Sequence, residues 1–456
     1  MKKKKKGLFL AAAAVWACSM AATVHAGAQK QQEPVSVEAA FPDENFRAAV
    51  SAQADTSGDG VLSREEIEGL SELKVTYPYQ EGNLHKEYPY HDYDGVRVDV
   101  AGIGLFPNLK TVSFENTEPA GLDFEKLAQL ETFCIDTAPE MELDFSQAAG
   151  LKNIKILNMK LKRLDVSGCG VTTIHINDTE FTSPFQGFAG ADDLKRVWLT
   201  NDRNLEKIDF TPNKKLEWIV ISRCGLKKIR LTGLEKLKHM QIQENELENI
   251  DVSDNKNLKR LFLDQNRLTK IDVSRNYKLE TLVLSGNPFT KIDSTSLKVS
   301  DKTPLVYLGA HDLECGVLDV SHISPLKRVY AYSGAFRQVR IGKNLSRMDM
   351  VNNKKMTVLD QKTFQAPEGA KLKRLECYMG KLKTLDTRHL KKLVWLEAGR
   401  TPLEKANLSG NLKLAYCDLE GTPLKTLAVN KNSSRRQMKM YRKAVKESGG
   451  KLVYKE

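Results

Sequence analysis

The chain has little that would support chemistry. Its 456 residues hold no HExxH, no GxSxG and no glycine-rich phosphate loop, and the histidines beyond the N-terminus (His85, His91, His175, His239, His311, His322, His389) are scattered. Metalloprotease, serine hydrolase and nucleotide-dependent activities are therefore not expected. Cysteine is sparse: Cys18 lies in the first 26 residues, and Cys134, Cys169, Cys224, Cys315, Cys377 and Cys417 are far apart, with no CxxC pair to suggest zinc. Past the N-terminus no stretch approaches the ~20 apolar residues a membrane helix needs. The net charge of +12 suggests nucleic acid until it is located. Lys2 to Lys6 supply five of these charges, and residues 431–456, with nine Lys or Arg against two Glu, supply seven, so residues 27–430 are neutral. A nucleic-acid binder needs a basic stripe on its binding surface, and the body of the chain has none.

The first 26 residues have five lysines, an apolar run from Gly7 to Ala17 and small residues to Ala26. That order predicts a secretory signal peptide over 1–26, cut after Ala26. Lipidation at Cys18 is the alternative, with Trp16 a poor fit two places before it. The mature chain is expected to be secreted or held at the extracellular surface.

What is abundant is repetition. The letters IDVS occur at 250–253 and again at 271–274, twenty-one residues apart. Aligned on that period, apolar residues fall at offsets 0, 3, 5, 10, 13 and 15, as in Leu258, Leu261, Leu263, Leu268, Ile271 and Val273, and again in Leu279, Leu282, Leu284, Phe289 and Ile292. Near the C-terminus the same template reads Leu393, Leu396, Ala398, Leu403, Ala406 and Leu408, and about fifteen coils start between Leu109 and Leu414. A fixed period of this kind marks a solenoid, in which no coil buries its apolar face alone.

Because 0, 3, 5 recurs as 10, 13, 15, each coil has two similar halves, each with a short alternating run that suits a strand. The spacing predicts two parallel ladders in a flattened, gently curved rod about 70 Å long, from fifteen coils at ~4.8 Å. Asn245, Asn266 and Asn287 sit at offset 8, where an amide can satisfy turn backbone groups. The six cysteines fall at six different offsets in six coils, so no disulfide is expected. Cys377 and Cys417 stand in for core leucines.

The nested pattern, clearest in LKRLFLDQNRLTKIDVSRNYK, resembles the bacterial leucine-rich repeats of internalin-J-like surface proteins. The segments FPDENFRAAVSAQADTSGDGVLSREEI and FPNLKTVSF resemble the N-terminal cap of secreted repeat proteins from gut and oral bacteria. The resemblance covers about residues 41–430 and implies a leucine-rich-repeat β-solenoid that works by recognition. Such proteins often carry a wall-sorting motif, and none is present here, so covalent wall anchoring is not expected.

Residues 27–108 are expected to form a small helical cap with an EF-hand-like calcium loop at 55–66, DTSGDGVLSREE. Asp55, Ser57 and Asp59 would bind by side chain, Val61 by its carbonyl, Ser63 through water and Glu66 with both oxygens, while Gly60 permits the sharp turn. Ser63 and Glu66 also fit a helix capping box, which is compatible with a calcium loop. With three carboxylates, the expected affinity is about 10⁻⁴ to 10⁻³ M. A tyrosine-rich insertion, TYPYQEGNLHKEYPYHDYDG, follows, as either a second contact surface or a loop packed on the first coil.

The two outward faces differ. In the second half, Arg163-Asp165-Ser167, Asn249-Asp251-Ser253 and Lys270-Asp272-Ser274 read as a solvated structural face. In the first half the outward offsets carry Trp198, Trp218, Phe262, Tyr307, Tyr330, Trp395 and Tyr416, with Tyr378 one place over, and Arg196, Arg260, Arg328, Arg347 and Arg374. Trp, Tyr and Arg dominate binding hot spots, so this ladder is the expected ligand-binding face; aromatics covering one another across strands is the plainer alternative. His175 and His239 share it. Asp349, Glu376, Glu397 and Asp418 form one column, expected to be a solvated strip balanced by Arg347 and Arg374. A polysaccharide-active or cell-envelope enzyme using those carboxylates is the rival. Three insertions, FTSPFQGFAGADD, STSLKVSDKTP and QKTFQAPEGAK, are expected to rim the aromatic face.

Residues 431–456 are expected to cap the last coil. Met438, Tyr441 and Val445 recur at helical spacing, Ser448-Gly449-Gly450 ends the helix and KLVY can add a strand, with contact to anionic envelope polymers a second role. The function predicted is an exported, non-enzymatic, monomeric recognition protein. Its ligand is a protein or glycan, host-derived or bacterial, and calcium is the only cofactor.

Overall fold

The computed structural model describes residues 33–77 and 96–456. The expected signal peptide, Cys18 and most of the tyrosine-rich insertion lie outside the described residues. The leucine template builds the interior: Leu258, Leu261, Leu263, Leu268, Ile271 and Val273 are all buried, as are their equivalents from Leu393 to Leu408. Coils beginning at Val171, Leu194 and Leu345, where the template is weakest, bury those residues equally.

The first halves pair into one parallel sheet of sixteen strands in chain order, from Glu72–Thr76 to Tyr416–Asp418. Its first strand precedes the repeats recognised from Leu109. The registers keep each outward column in line, with Trp218 beside His239 and His239 beside Arg260. The result is a leucine-rich-repeat β-solenoid.

The second ladder is not continuous, in contrast to the expectation of two equal ladders. Among the described residues it is divided into separate sheets of two to five strands. Its strands are also short, and the repeated Asp ends several of them. Asp272 Oδ1 accepts from the Ser274 backbone N–H at 3.0 Å and its hydroxyl at 2.6 Å. Asp165 and Asp251 accept likewise from Ser167 and Ser253, each at 2.9 Å. This turn captures the backbone two residues on and ends the strand early. The same hydrogen bonds to Ser lower the Asp165, Asp251 and Asp272 carboxyls below the usual range, so the stacked aspartates are held as anions on an exposed, structural face.

Between the halves the chain turns through a left-handed residue in coil after coil. Arg223, Glu244 and Gln265 have φ of 57°, 52° and 55°, and in the next coil Gly286 takes the position at 65°. Most of these residues are not glycine, which L side chains tolerate only at some cost. The next residue compensates. Asn245 Oδ1 accepts from Cys224 N and Leu226 N, both at 3.1 Å, while its Nδ2 donates to Ile221 O and Gln243 O at 3.0 and 2.7 Å. Asn266 and Asn287 repeat the bridge. A second amide column, Asn213, Asn255, Asn276 and Asn411, joins the far turns: Asn276 Nδ2 donates to Val252 O at 2.8 Å and Asn255 O at 3.0 Å.

Glutamines close both ends. Gln53, last in the helix Glu44–Gln53, donates to Lys74 O at 2.6 Å and accepts from Lys74 N at 2.9 Å, pairing the open edge of the first strand. At the other end Gln437 donates to Asn411 O at 3.2 Å and Leu414 O at 3.0 Å, taking the place of the next coil's asparagine. It lies in the helix Arg435–Ser448, whose Tyr441 is buried, and the strand Lys451–Lys455 then pairs with Thr426–Asn430.

The three insertions do not rim the aromatic face. Leu297–Lys298 and Phe364–Gln365 pair into the second ladder, and Phe188, from the first insertion, is buried against Phe210. Their apolar residues, Leu297, Phe364 and Phe188, draw them inward. The six described cysteines are all unpaired, with Cys134 and Cys417 only half-buried.

Candidate recognition face

Three outward columns run along the sixteen-stranded sheet. Trp218, Arg260, Tyr307, Arg328, Trp395 and Tyr416 occupy the first, Trp198, Phe262 and Tyr330 the second, and Tyr378 the third. Arg260 and Arg328 are exposed, Tyr416 is 37% exposed, and the other aromatics are half-buried. Burial comes from neighbouring strands, because side chains a strand apart touch across the sheet.

These residues form two groups rather than one continuous ladder. In the first, Trp218 stacks on His239 at 3.8 Å and 17°, and His239 meets Phe262 at 5.5 Å. Trp198 faces His175 at 6.3 Å. The second runs along the later strands. Tyr307 stacks on Tyr330 at 5.2 Å, Arg347 lies 5.1 Å over Tyr330, Arg374 lies 4.4 Å over Trp395, and Trp395 stacks on Tyr416 at 3.9 Å. Between the groups the columns carry Thr281, Val283 and Gly309, which leave a low saddle.

His239 occupies an outward column yet is only 7% exposed, sandwiched by Trp218 and Phe262. Burial, and then Arg260, push its pKa down, so it is neutral at physiological pH. Tyr332, stacked on His311 at 4.2 Å and 7°, is 37% exposed in the third column. Sequence reasoning passed over it, although the offset that identified Tyr378 also contains Tyr332.

The acidic column is the solvated strip expected only in its later half, where Glu397 and Asp418 stay partly exposed. Asp349 and Glu376 are 8% and 5% exposed. Glu376 pairs with Arg347 at 2.9 Å and with Arg374, and Arg374 reaches Glu397 at 3.4 Å. Trp395 Nε1 also donates to Glu397. Long arginines on adjacent strands cover Asp349 and Glu376. Burial, then the nearby Glu376, raise the Asp349 carboxyl above its usual range. The expected balance by Arg347 and Arg374 is present, as direct ion pairs.

The 55–66 loop begins with a turn in which Gly58 and Gly60 have φ of 71° and 79°. Asp55 accepts from Gly58 N at 2.7 Å and Gly60 N at 2.9 Å, and Asp59 accepts from Val61 N at 2.9 Å. Ser63 and Glu66 form a capping box at the start of the helix Arg64–Gly69. Glu66 also accepts from the Thr56 hydroxyl at 2.8 Å and Ser57 N at 2.9 Å. The hydrogen bond from the Ser63 backbone, followed by the others, lowers its carboxyl to about 2. Among the described residues, no three His, Cys, Asp or Glu side chains converge into a metal-binding group.

No family model matches the chain. No curated protein matches it either. Solved structures do. The functional domain of InlJ from Listeria monocytogenes, which includes a cysteine ladder, is 21% identical with a TM-score of 0.44, over 88% of this chain and 78% of that one. The internalin InlF from the same organism is 14% identical with a TM-score of 0.39, over 85% and 92%. A leucine-rich-repeat protein of Leptospira interrogans is 17% identical with a TM-score of 0.41, over 77% and 80%.

Proposed function

We propose that the protein is an exported recognition protein whose outward first ladder binds a protein partner. The observation that carries this is the stacking itself. Trp395 has Arg374 over its ring at 4.4 Å and Tyr416 against it at 3.9 Å, and Trp218 lies on His239 at 3.8 Å. Ring faces used in this way are not free to serve as platforms for sugar rings. What they present is two stacked clusters of ring edges, with Arg260 beside the first and Arg328 in the second, the residue types and pre-organisation of a protein-binding hot spot. This favours a protein over a glycan. Recognition without catalysis also fits Glu376 and Glu397, each of which has its Oε1 engaged by arginine, and in Glu397 by the Trp395 indole as well.

The test is to capture partners on residues 27–456 beside a glycan array. A protein retained by the wild type and lost from Trp395→Ala supports the assignment. Glycans bound with no such protein overturn it.

The 55–66 loop is proposed to take calcium. Its three carboxylates, two hydroxyls and one carbonyl are the hard oxygen donors that calcium prefers. Binding would exchange the Glu66 hydrogen bonds to Thr56 and Ser57 for the cation, stiffening the segment beside the first coil. Export is proposed from the order of charges and apolar residues in 1–26. Among the described residues no helix is long and apolar enough to cross a membrane. The protein is proposed to act as a monomer.

A further inference from the structure

Along the solenoid, a number of basic side chains pair with an acid one coil away. Lys152 pairs with Glu131 at 2.7 Å, Lys227 with Glu206 at 2.6 Å, Lys238 with Glu217 at 2.7 Å and Lys425 with Glu404 at 2.8 Å. The helix Arg435–Ser448 instead gathers its cations on one face. Arg435, Arg436, Lys439, Arg442, Lys443 and Lys446 are all exposed, and of these six only Lys443 has an ion pair among the described residues, with Glu447 at 3.6 Å. At 3.6 residues per turn, the six fall within one arc of about 120° along a helix about 20 Å long.

That arrangement costs the helix stability. Arg435 and Lys439, Lys439 and Lys443, and Arg442 and Lys446 are like charges four residues apart, which repel. The first turn carries Arg435 and Arg436 and no acid, against the preference of a helix N-terminus for negative charge. A helix face that gathers six exposed cations in one arc against these local rules is shaped for an external anion. The opposite side of the helix is already used: Met438, Ala444 and Val445 pack against the solenoid core and Tyr441 is buried within it. No apolar stripe remains to enter a bilayer, as a surface-lying membrane helix requires.

We propose that this basic face binds a linear polymer of repeating phosphate groups. Each phosphate that meets a basic side chain removes the like-charge repulsion and releases counterions. The site lies at the C-terminal end of the solenoid and needs neither the aromatic face nor calcium.

The probe is labelled inorganic polyphosphate, titrated against residues 27–456 by fluorescence anisotropy at about 50 and 200 mM salt. With six contacts and a single-strand slope of about −0.7 per charge, affinity should fall roughly 300-fold between the two. Replacing Arg436, Lys439 and Lys443 together by Gln leaves three contacts, and the fall should shrink to roughly 20-fold. These side chains are exposed, so the circular dichroism spectrum should be unchanged. Trp218→Ala and Trp395→Ala should bind polyphosphate as the wild type does, which separates this site from the protein-binding face. Absence of binding at 50 mM salt, the same slope in the triple variant, or tighter binding to vesicles of anionic lipid than to the polymer would overturn the proposal.

Discussion

Asp202 stands where the coil-to-coil amide ladder has asparagine in later coils. Its Oδ1 accepts from Thr179 N at 3.0 Å, as Asn245 accepts from Cys224 N. Where Asn245 donates from Nδ2 to Ile221 O and Gln243 O, Asp202 has Oδ2, which is fully buried and has no partner. Only the protonated acid can imitate the amide. Burial holds the carboxyl well above its usual range, opposed by the Thr179 N–H and assisted by Asp178; Cys224, the thiol beside it, is itself pushed up by burial and then by Asp202. The folded state therefore keeps a proton that the unfolded chain releases near pH 3.9. The contribution of Asp202 to stability is complete below that pH and is lost as pH rises toward and through the folded value. Asp202→Asn restores up to two hydrogen bonds at about 0.5 to 1.5 kcal/mol each, so the variant should be more stable by about 1 to 3 kcal/mol at neutral pH. Its stability should also lose this pH dependence. Urea unfolding from pH 4.5 to 8.5, with hydrogen exchange resolving the coils around 179–224, measures both quantities, since solenoids lose stability locally. A variant no more stable than the wild type at pH 8, or a wild type whose coils show no pH dependence, would refute the reasoning.

At the far end, Gln437→Ala removes two buried hydrogen bonds and half of a capping box, and should destabilise the last coils by about 2 to 5 kcal/mol in hydrogen exchange. Deleting residues 433–456 should cause aggregation by exposing the last core, and a soluble truncation of equal stability would contradict that. Calcium at about 10 mM should stabilise the wild type by about 1.4 to 2.7 kcal/mol if the affinity is 10⁻⁴ to 10⁻³ M. Glu66→Gln should abolish this in calorimetry. Because the Glu66 carboxyl is lowered to about 2, its stabilising hydrogen bonds are fully present above the unfolded value of ~4.3 and fade as pH falls toward 2.

The solenoid was legible because its information is periodic. Leucines every twenty-one residues specify one strand, one turn and one register, and nearest-neighbour stacking repeats the solution. The offset-8 asparagines could be read for the same reason. The second amide column was equally visible, as Asn255 and Asn276 at one offset, but it was missed because polar letters in a turn look free until the carbonyls they serve are known. The shortness of the second-half strands follows from a competition that spacing does not show, in which Asp272 binds the Ser274 N–H. The insertions were misplaced because their position within the coil was weighed above their content. Phe188, Leu297 and Phe364 are apolar, and burial decides where such loops go. At the candidate face, the outward columns were readable from alternation, while the stacking of Trp218 on His239 and the burial of Glu376 under arginines depend on rotamers that one sequence does not reveal.

The central claim, that the first ladder and not the second is the recognition face, is tested most directly by titrating the captured partner against single alanine variants of both faces. Trp218→Ala, Phe262→Ala and Trp395→Ala should each weaken binding by about 1 to 4 kcal/mol. Lys270→Ala and Asp272→Ala, exposed on the opposite face, should change it by no more than about 1 kcal/mol. Equal losses from both faces, or losses confined to residues 433–456, would contradict the account.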